Sequence, residues 1–469
     1  MRRTEAFMLQ NPPTSLFPVA ESDAADDDGA LVTPLVTPAP RFNMPERFQG
    51  EFRAESLDQR LDADHDARLV WKLVEGLDLS VLYHEIKAVE GQPGRNPSDP
   101  RVLFALWLYA SLDGVGSARK LEKLCHEHRA YEWLRGGVPV NYHLLADFRV
   151  EQQELLDQLM TDSLAGLLRE GLVDLETTAQ DGMRIRAHAG ANSFRRQPTL
   201  QEAQEEARRH VNKLRQDLQD QDGKMTKRQA KAKERAARER LERISKALQN
   251  VKEIAKQREI RTKGDGDKAR ASTTDPEART MKMPDSGFRP AYNIQFATDA
   301  GSGLIVGVDV TNQGTDSGQM EPMIKQIQER LDETPTHHLT DGGFSSLADI
   351  ERTAEVGPMV ITPIKEEKKM KEQGLDPYAA KKSDSPALAA WRARMGTDLG
   401  KTLYKLRAQT AELTNARMRN RGLYQVLVRG LAKVKACLLW YVLAHNLLRG
   451  ELLRAQKAKS MGLPNQKSA

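Results

Sequence analysis

The sequence predicts an α/β fold with a mixed sheet, interrupted by a helical insertion and preceded by an all-helical N-terminal domain. Apolar residues recur at helical intervals from about residue 56 to 172, after which they alternate as they do in strands. Residues 198–262 are rich in Ala, Glu, Lys, Arg and Gln, a composition typical of long helices or coiled coils. Strand-like and helix-like segments then alternate from residue 288 onward, which indicates an α/β core.

The two ends of the chain and the region before the sheet carry different patterns. Residues 1–45 are rich in Pro, Asp, Ala and Thr without periodicity, so we expect a disordered or loosely attached arm. Residues 46–172 are predicted to be a helical, helix-turn-helix-like DNA-binding domain, since short basic helices can enter the major groove. A helical bundle with a solvated basic face is the alternative, and the pattern alone favours it. Residues 457–469 are expected to form a flexible tail.

Residues 173–456 are predicted to be the α/β core, with residues 198–265 as the helical insertion. Its first strand, or pair of strands, lies in "LVDLETTAQDGMRIRAHAG" and places Asp181 at a strand–turn boundary. Two alternating runs flank "DAGSG" within 288–314, which predicts a hairpin. The elements expected next are a helix, a short strand ending at Asp341, a second helix, the strand "MVITPI", a basic loop at 365–385, and helices from about 386 to 456.

Composition gives weaker information about partners and compartment. The net charge is +5, and residues 201–270 hold 21 Lys and Arg against 13 Asp and Glu, a weak indication of nucleic acid because charge runs usually mark solvated faces. The apolar run at 437–448 is too short to span a bilayer, so we expect no membrane association. Cys125 and Cys437 lack metal-ligand spacing, and we expect a reduced cytoplasm without disulfides.

Acidic residues at strand ends of an α/β core are the candidates for a metal-assisted site. Asp181 and Asp341 both qualify, and Asp341 is followed by Gly342 and Gly343. A third candidate, Glu412, lies in the helical segment "LYKLRAQTAELTNARMRNRGL". Taken singly, these aspartates are also typical of turns and this glutamate of a solvated helix face.

The segments "DGMRIRAHAG", "DPEARTMKMPDSGFRPAYNIQFATD", "LTDGGFSS" and "YKLRAQTAELTNARMRNRGL" occur in this order. Together they resemble the DDE transposases of bacterial insertion sequences, and more closely the branch with a Tyr–Arg–Glu signature in its last block. The segment from "EIKAVEGQPGRNPSDP" to "YEWLRGG" is similar to the N-terminal helical domain of that branch. The resemblance covers roughly residues 60–450 and implies a ribonuclease-H-like catalytic core.

The resemblance also implies roles for individual residues. Asp181 and Asp341 match the two catalytic aspartates, and Glu412 matches the catalytic glutamate. Tyr404 and Arg407 match the Tyr and Arg of the signature, with contacts to DNA phosphates or bases as their expected function.

Two further blocks complete this comparison. Arg419 stands where the family usually has a lysine, seven residues after the glutamate; it keeps the positive charge with a different geometry, so we expect it to bind DNA phosphates. The "AYNIQ" block is expected to support the fold or the substrate without an assigned chemistry. The three histidines near the candidate aspartates receive no role.

Three carboxylates suit phosphodiester cleavage with two Mg²⁺ ions, because Mg²⁺ prefers carboxylate oxygens and two ions can activate the attacking oxygen and stabilise the leaving one. Mn²⁺ can substitute. Asp181 would bridge both ions, Asp341 would bind one and Glu412 the other. The expected partners are the insertion-sequence ends and target DNA, both double-stranded, and a homodimer in the DNA complex. The expected location is the bacterial cytoplasm, at the nucleoid.

Two other functions remain open at this point. One is a catalytically inactive or repurposed DNA-binding protein derived from a transposase. The other is a different nuclease of the ribonuclease-H-like type. An intact acidic triad disfavours the first, and the N-terminal helical domain disfavours the second.

Overall fold

The computed structural model describes residues 54–84, 86, 88, 96–219 and 226–462, without the side chains of residues 218, 219 and 227. The predicted arm at 1–45 therefore lies outside the described residues. The described residues from Glu55 onward belong to one compact unit.

Short helices fill the chain before the sheet, as predicted. They are α1 Asp66–Glu75, α2 Ser80–His84, α3 Pro100–Leu112, α4 Ala118–Glu127, α5 Arg129–Arg135, α6 Tyr142–Glu151 and α7 Gln153–Arg169. At the N-termini of α1, α3, α4 and α6, a polar side chain accepts from a free backbone N–H group. Asp99 accepts from the backbone N–H of Arg101, and Pro100 occupies the first helical position, where its missing N–H costs nothing. Asn141 caps α6 in the same way.

A mixed sheet forms the centre of the second part of the chain. The strands are β1 Thr177–Arg186, β2 Phe194–Arg195, β3 Ala271–Ser272, β4 Arg279–Lys282, β5 Phe288–Asp299, β6 Ile305–Thr311, β7 His337–Leu339 and β8 Met359–Ile361. The order is β4-β5-β1-β7-β8, with β6 also paired to β5. β5 is antiparallel to β1, β4 and β6, whereas β7 is parallel to β1 and β8. The mixed sheet and the hairpin around "DAGSG" confirm the predicted fold class.

The helical insertion consists of two long arms, α8 Gln197–Gln219 and α9 Lys227–Arg261, which pack against each other. Residues 220–225, between the two arms, lie outside the described residues. Leu200, Ala247 and Val251 form a small apolar cluster with Ala271 of β3. β2 pairs with β3 at the base of the insertion, so the chain enters and leaves it at one place.

The remaining helices surround the second half of the sheet. They are α10 Met320–Leu331, α11 Leu347–Val356, α12 Glu367–Glu372, α13 Pro386–Gly396, α14 Asp398–Arg407, α15 Leu413–Asn420 and α16 Leu431–Ser460, with a π-helical turn Ala408–Glu412 between α14 and α15.

Four local expectations were wrong. β1 continues past Asp181 to Arg186, so this aspartate does not stand at a strand–turn boundary. The predicted loop at 365–385 contains α12. Residues 421–430 are not helical, because the backbone around Tyr424 pairs with Arg186 at the end of β1. α16 runs to Ser460, so the predicted tail begins inside a helix.

α16 is the central helix of the largest apolar cluster. It packs against α3, α6 and α7 on the N-terminal side and against β6 of the sheet. Trp440 is buried, lies 4.7 Å from the ring of Phe104, and donates its indole N–H to the carbonyl of Arg149 at 3.0 Å. By length and mean hydropathy α16 could cross a membrane, but 72% of its most apolar stretch is buried inside the protein. The N-terminal helices and the sheet therefore share one core.

Candidate active site

Asp181 and Asp341 lie at the same level of two neighbouring parallel strands. The paired residues of β1 and β7 are Thr177 with His337, Thr178 with His338 and Ala179 with Leu339. Asp181 and Asp341 each stand two residues beyond the last of these pairs. Two carboxylates are thus brought together at the end of the β1–β7 ladder, although β1 itself continues.

Asp341 begins a short 3-10 turn, Gly342–Phe344, and its Oδ1 accepts from the backbone N–H of Gly343 at 2.8 Å. A Cβ atom on Gly343 would lie 2.9 Å from that same oxygen, closer than real Cβ atoms approach. A Cβ atom on Gly342 would make only ordinary contact with Pro363, at 3.7 Å. Of the two glycines after Asp341, Gly343 is the one that keeps space beside the carboxylate.

Glu412 reaches the site through the π-helical turn. Residues five apart lie on different sides of an α-helix, but the wider repeat of a π-helix places them on the same side. Arg407, the last residue of α14, donates from Nη2 to Glu412 Oε1 at 2.7 Å. The Glu412 side chain is 56% exposed and that of Arg407 only 16%. The glutamate therefore faces solvent beside a largely covered guanidinium.

Arg407 lies among the three predicted catalytic carboxylates. Burial on its own would lower the pKa of Arg407, but the charges of Tyr404, Asp181, Glu412 and Asp341 outweigh burial and raise it. All three predicted carboxylates thus lie in the electrostatic neighbourhood of Arg407, which contacts Glu412 alone among them.

Asp181 is the most perturbed member of the triad. Its Oδ1 accepts from the backbone N–H of Gly182 at 2.9 Å, and its Oδ2 from Nδ2 of Asn415 at 3.0 Å. Burial raises the pKa of Asp181 to about 6, with the charge of Asp341 as the next cause, while Arg407 acts in the opposite direction. Burial and the neighbouring Asp341 thus outweigh the stabilisation that Arg407 gives to the ionised Asp181.

Tyr404, Arg407 and Arg419, the residues predicted to bind DNA, differ in their distance from the triad. Arg407 Cζ lies 5.9 Å from the ring centroid of Tyr404, so these two side chains are neighbours at the site. Arg419 lies on the exposed face of α15, two turns after Glu412. Its guanidinium makes no hydrogen bond or salt bridge to another described residue. Tyr404 and Arg407 therefore join the triad, whereas Arg419 stands apart from it.

Two residues near the triad escaped the sequence analysis. Asn415, one helical turn after Glu412, is 5% exposed and binds Asp181. Asp316 lies in "GTDSGQ" before α10, and its charge also raises the pKa of Asp181. The i, i+3 spacing from Glu412 could have indicated Asn415. Asp316 had no such signal, because an aspartate before a helix is an ordinary turn residue.

The residues at this site suit a divalent cation by their chemistry. Within the described part of the chain, no three carboxylate, imidazole or thiol side chains lie close enough to hold one metal ion. Asn415 Oδ1, however, is buried beside Asp181 without a hydrogen-bond partner. Amide and carboxylate oxygens are ligands of hard divalent cations, and a cation would stabilise the ionised Asp181, whose pKa is raised by burial and then by the charge of Asp341. The chemistry of these donors therefore fits a divalent cation.

Comparison with known families agrees with this arrangement. A family model described as "Transposase DDE domain" matches residues 258–447, which include Asp341 and Glu412. A second, "Transposase domain (DUF772)", matches residues 55–151. Neither the comparison with curated proteins nor that with solved structures finds a match.

The fold and site define a DNA-acting enzyme with a ribonuclease-H-like core, since the DDE domain carries that core and the mixed sheet has the expected organisation. The two matches support a DDE transposase of the insertion-sequence type. The match to the DDE domain begins after the helical insertion has started, so Asp181 lies outside it. The parallel register of β1 with β7, rather than the family match, links Asp181 to Asp341.

Proposed function

We propose that this transposase cleaves the DNA ends of its insertion sequence and transfers them to target DNA, with Asp181, Asp341 and Glu412 as its catalytic carboxylates. The observation that carries the proposal is the placement of Asp181 and Asp341 at the same level of β1 and β7, near the Arg407–Glu412 pair. Asp181 and Asp341 come from adjacent parallel strands, and Glu412 from the π-helical turn packed beside β1.

Two Mg²⁺ ions held by Asp181, Asp341 and Glu412, for which Mn²⁺ can substitute, would activate the attacking oxygen and neutralise charge on the leaving oxygen. Asn415 holds one oxygen of Asp181 and so orients this carboxylate. Gly343 leaves room beside Asp341 for the DNA backbone. The attacking oxygen is that of water during nicking and that of a DNA 3′-hydroxyl during strand transfer.

Arg407 is placed to bind the phosphate that is cut. A guanidinium presents parallel N–H donors that match two phosphate oxygens. In the absence of DNA, Glu412 accepts one of these N–H groups. Tyr404 stands beside Arg407 and offers a hydroxyl or a ring face to the same strand. This pairing supports assignment to the Tyr–Arg–Glu branch. Arg419 would bind a phosphate farther along, because it lies two turns from Glu412.

Residues 46–172 would recognise the ends as a helix-turn-helix-like domain, and residues 173–456 would form the catalytic domain. A homodimer, acting in the bacterial cytoplasm at the nucleoid and away from membranes, would hold two double-stranded ends together before joining them to target DNA. The match of the second transposase model to residues 55–151 supports a role for the helical part in the same process.

The test uses DNA duplexes that carry the inverted repeats flanking the coding sequence. With Mg²⁺ or Mn²⁺, we expect nicking that leaves a 3′-hydroxyl, followed by joining to a second duplex. Asp181→Asn should bind the duplex as the unchanged protein does and neither nick nor join it. Nicking by Asp181→Asn at the unchanged rate would exclude the proposed role of this residue.

A DNA-binding protein without catalysis is the alternative. A salt-sensitive mobility shift with no nicking of any duplex, with either ion, would favour it. The pairing of Arg407 with Glu412, near the neighbouring carboxylates of Asp181 and Asp341, supports the enzyme instead.

A further inference from the structure

The loop between β6 and α10 brings Asp316 against the active site. A Cβ atom on Gly182, the residue after Asp181, would lie 2.1 Å from Asp316 Oδ1, so only glycine admits this approach. The position of a Cβ atom on Gly343 lies 3.5 Å from Asp316 Oδ2 and 2.9 Å from Asp341 Oδ1. Oxygens of two carboxylates therefore lie within 3.5 Å of one point.

Two amide side chains of β5 hold Asp316 in place. Nδ2 of Asn293 and Nε2 of Gln295 both donate to Asp316 Oδ1, each at 2.7 Å. No described residue donates to Asp316 Oδ2, the oxygen that faces Gly343. One oxygen of Asp316 is thus fixed, and the other is left for a ligand.

A buried chain of hydrogen bonds leads to this carboxylate. Gln180 Nε2 donates to Gln295 Oε1 at 2.9 Å, Gln180 Oε1 lies 3.0 Å from His338 Nε2, and His338 Nδ1 lies 2.9 Å from Thr178 Oγ1. All four side chains are at most 1% exposed. Such a chain is strengthened because each bond polarises the next.

The direction of every bond in this chain is determined. Burial lowers the pKa of His338 to about 3, so its ring is neutral with a single N–H. Gln180 Oε1 can only accept, which places that hydrogen on Nε2, and Nδ1 then accepts from the Thr178 hydroxyl. Every donor therefore points along the chain toward Asp316, the arrangement that stabilises an ionised carboxylate at its end.

A second observation indicates a ligand here. Asn293 is 1% exposed, and its Oδ1 has no hydrogen-bond partner although its Nδ2 holds Asp316. Buried polar atoms are rarely left unpaired unless an ion or water satisfies them. An unpaired amide oxygen on the side chain that holds Asp316 is an oxygen ligand of the kind that a hard divalent cation prefers.

We propose that Asp316 is a fourth carboxylate of the active site and binds a divalent cation together with Asp341. This inference rests on the proposed metal-dependent function. The chain from Thr178 to Gln295 positions Asp316, and Gly182 makes room for it.

The test measures Mn²⁺ binding to the full chain without DNA, by electron paramagnetic resonance of the free ion. Asp316→Asn should weaken binding by at least about tenfold, the range known for groups that support a metal site. The matched control is Asp309→Asn, which removes the same charge from β6, where Asp309 pairs with Lys435 at 3.2 Å. Gln295→Leu should weaken binding too, but should add nothing to Asp316→Asn, because both act through one carboxylate.

The outcomes separate this inference from the function on which it rests. If Asp181→Asn loses Mn²⁺ binding while Asp316→Asn binds Mn²⁺ as the unchanged protein does, the role of Asp316 as a fourth carboxylate is overturned and the proposed function is not. Unchanged binding in both variants would overturn the metal site as a whole. Unchanged thermal unfolding of Asp316→Asn in EDTA shows that any loss of affinity is not a folding defect.

A basic groove supports a second, independent inference. α9, the loop after it, and β4 and β5 line a groove of about 1310 Å³ with seven Lys and Arg and two Glu. Arg261, Arg270 and Lys282 of this groove are exposed and form no salt bridge with a described residue. Phe288, 69% exposed, adds an aromatic face of the kind that stacks on bases.

The groove reaches the loop that carries Asp316. Arg184, three residues after Asp181 on β1, donates to the carbonyls of Lys282 and Gly314, each at 2.9 Å. Gly314 belongs to the loop that carries Asp316. The geometry points to this groove as a path for the DNA backbone, with the helical insertion as one wall. This gives the insertion a role in the proposed function.

The test follows the anisotropy of a labelled DNA duplex at several salt concentrations. Replacing Arg261, Arg270 and Lys282 together by Ala should weaken binding and reduce the salt slope by about 2–3, roughly one for each lost phosphate contact. The control replaces Lys231, Lys252 and Lys256, exposed residues of α9 outside the groove, and should leave the slope nearly unchanged. Equal salt slopes for both triple variants would overturn the assignment of this groove as a path for DNA. That result would leave the cleavage tests of the triad unaffected.

Discussion

Asp181 shows how a functional residue can oppose the stability of the protein that holds it. The carboxyl has an ordinary pKa of 3.8, which the fold raises to about 6. The folded protein therefore retains a proton between these values that the unfolded chain has lost. The unfavourable contribution of Asp181 grows as the pH rises from about 4 to about 6 and is complete above that range.

Asp181→Asn is accordingly expected to stabilise the metal-free protein at high pH. The free energy of unfolding should rise by about 2–3 kcal/mol near pH 8 and change little near pH 4. Denaturant unfolding in EDTA at both pH values measures this difference, with Asp309→Asn as the control. The same stability change at both pH values would contradict the raised pKa of Asp181.

Arg407 acts on Asp181 in the opposite sense, because its charge lowers the pKa of that carboxyl. Arg407→Ala should therefore move the acid limb of the pH–rate profile of DNA cleavage to higher pH, besides slowing the reaction. Arg407→Lys keeps the charge but loses the planar fork, so it should be slower without the full shift. An unshifted acid limb in Arg407→Ala would show that the charge of Arg407 does not lower the pKa of Asp181.

Elements were predictable where their pattern is local and regular. The β5–β6 hairpin, the helical insertion and the helix–strand alternation after residue 314 follow from apolar periodicity and turn residues. The extension of β1 past Asp181 was not predictable, because its last residue pairs with the distant segment around Tyr424. The π-helical turn was missed too, since spacing in a sequence is counted on a regular α-helix.

Some residues of the candidate site could be predicted from the sequence and others could not. The order of the family blocks indicated Asp181, Asp341, Glu412, Tyr404 and Arg407, although each residue alone is ordinary, and their catalytic and DNA-binding roles stay predictions. Asp316 came to light only through the contact of its loop with Gly182, which depends on tertiary packing.

α16 is the element on which the core depends most. Trp440→Ala should lower the free energy of unfolding by about 3–5 kcal/mol, because a large buried ring is replaced by a cavity. Leu452→Ala on the same helix, at a side chain 56% exposed, should change it by at most about 0.5 kcal/mol. Similar losses for the two variants in chemical denaturation would contradict the central position of Trp440.

At the scale of the whole molecule, the helical and catalytic regions are bound by a common core. α16 follows the catalytic residues in sequence but packs against α3, α6 and α7. A fragment of residues 173–462 should therefore expose apolar surface and unfold without a cooperative transition, whereas the full chain unfolds cooperatively. Calorimetry of both proteins measures this. A fragment with its own sharp transition would show that the catalytic region is an independent domain.

The shared core also has a functional consequence. A DNA duplex bound by the N-terminal helices would be held in a defined relation to Asp341 and its neighbours, because both regions pack on the same helix. End recognition and cleavage would then be coupled through rigid packing rather than through a linker.

Cleavage by Asp341→Ala tests the central claim most directly. The rate of Mg²⁺-dependent nicking of inverted-repeat DNA is measured for this variant and for Asp309→Ala, while a mobility shift confirms that both bind the duplex. Asp341→Ala should bind DNA and give no detectable nicking, whereas Asp309→Ala should nick as the unchanged protein does. Full cleavage by Asp341→Ala would contradict the account.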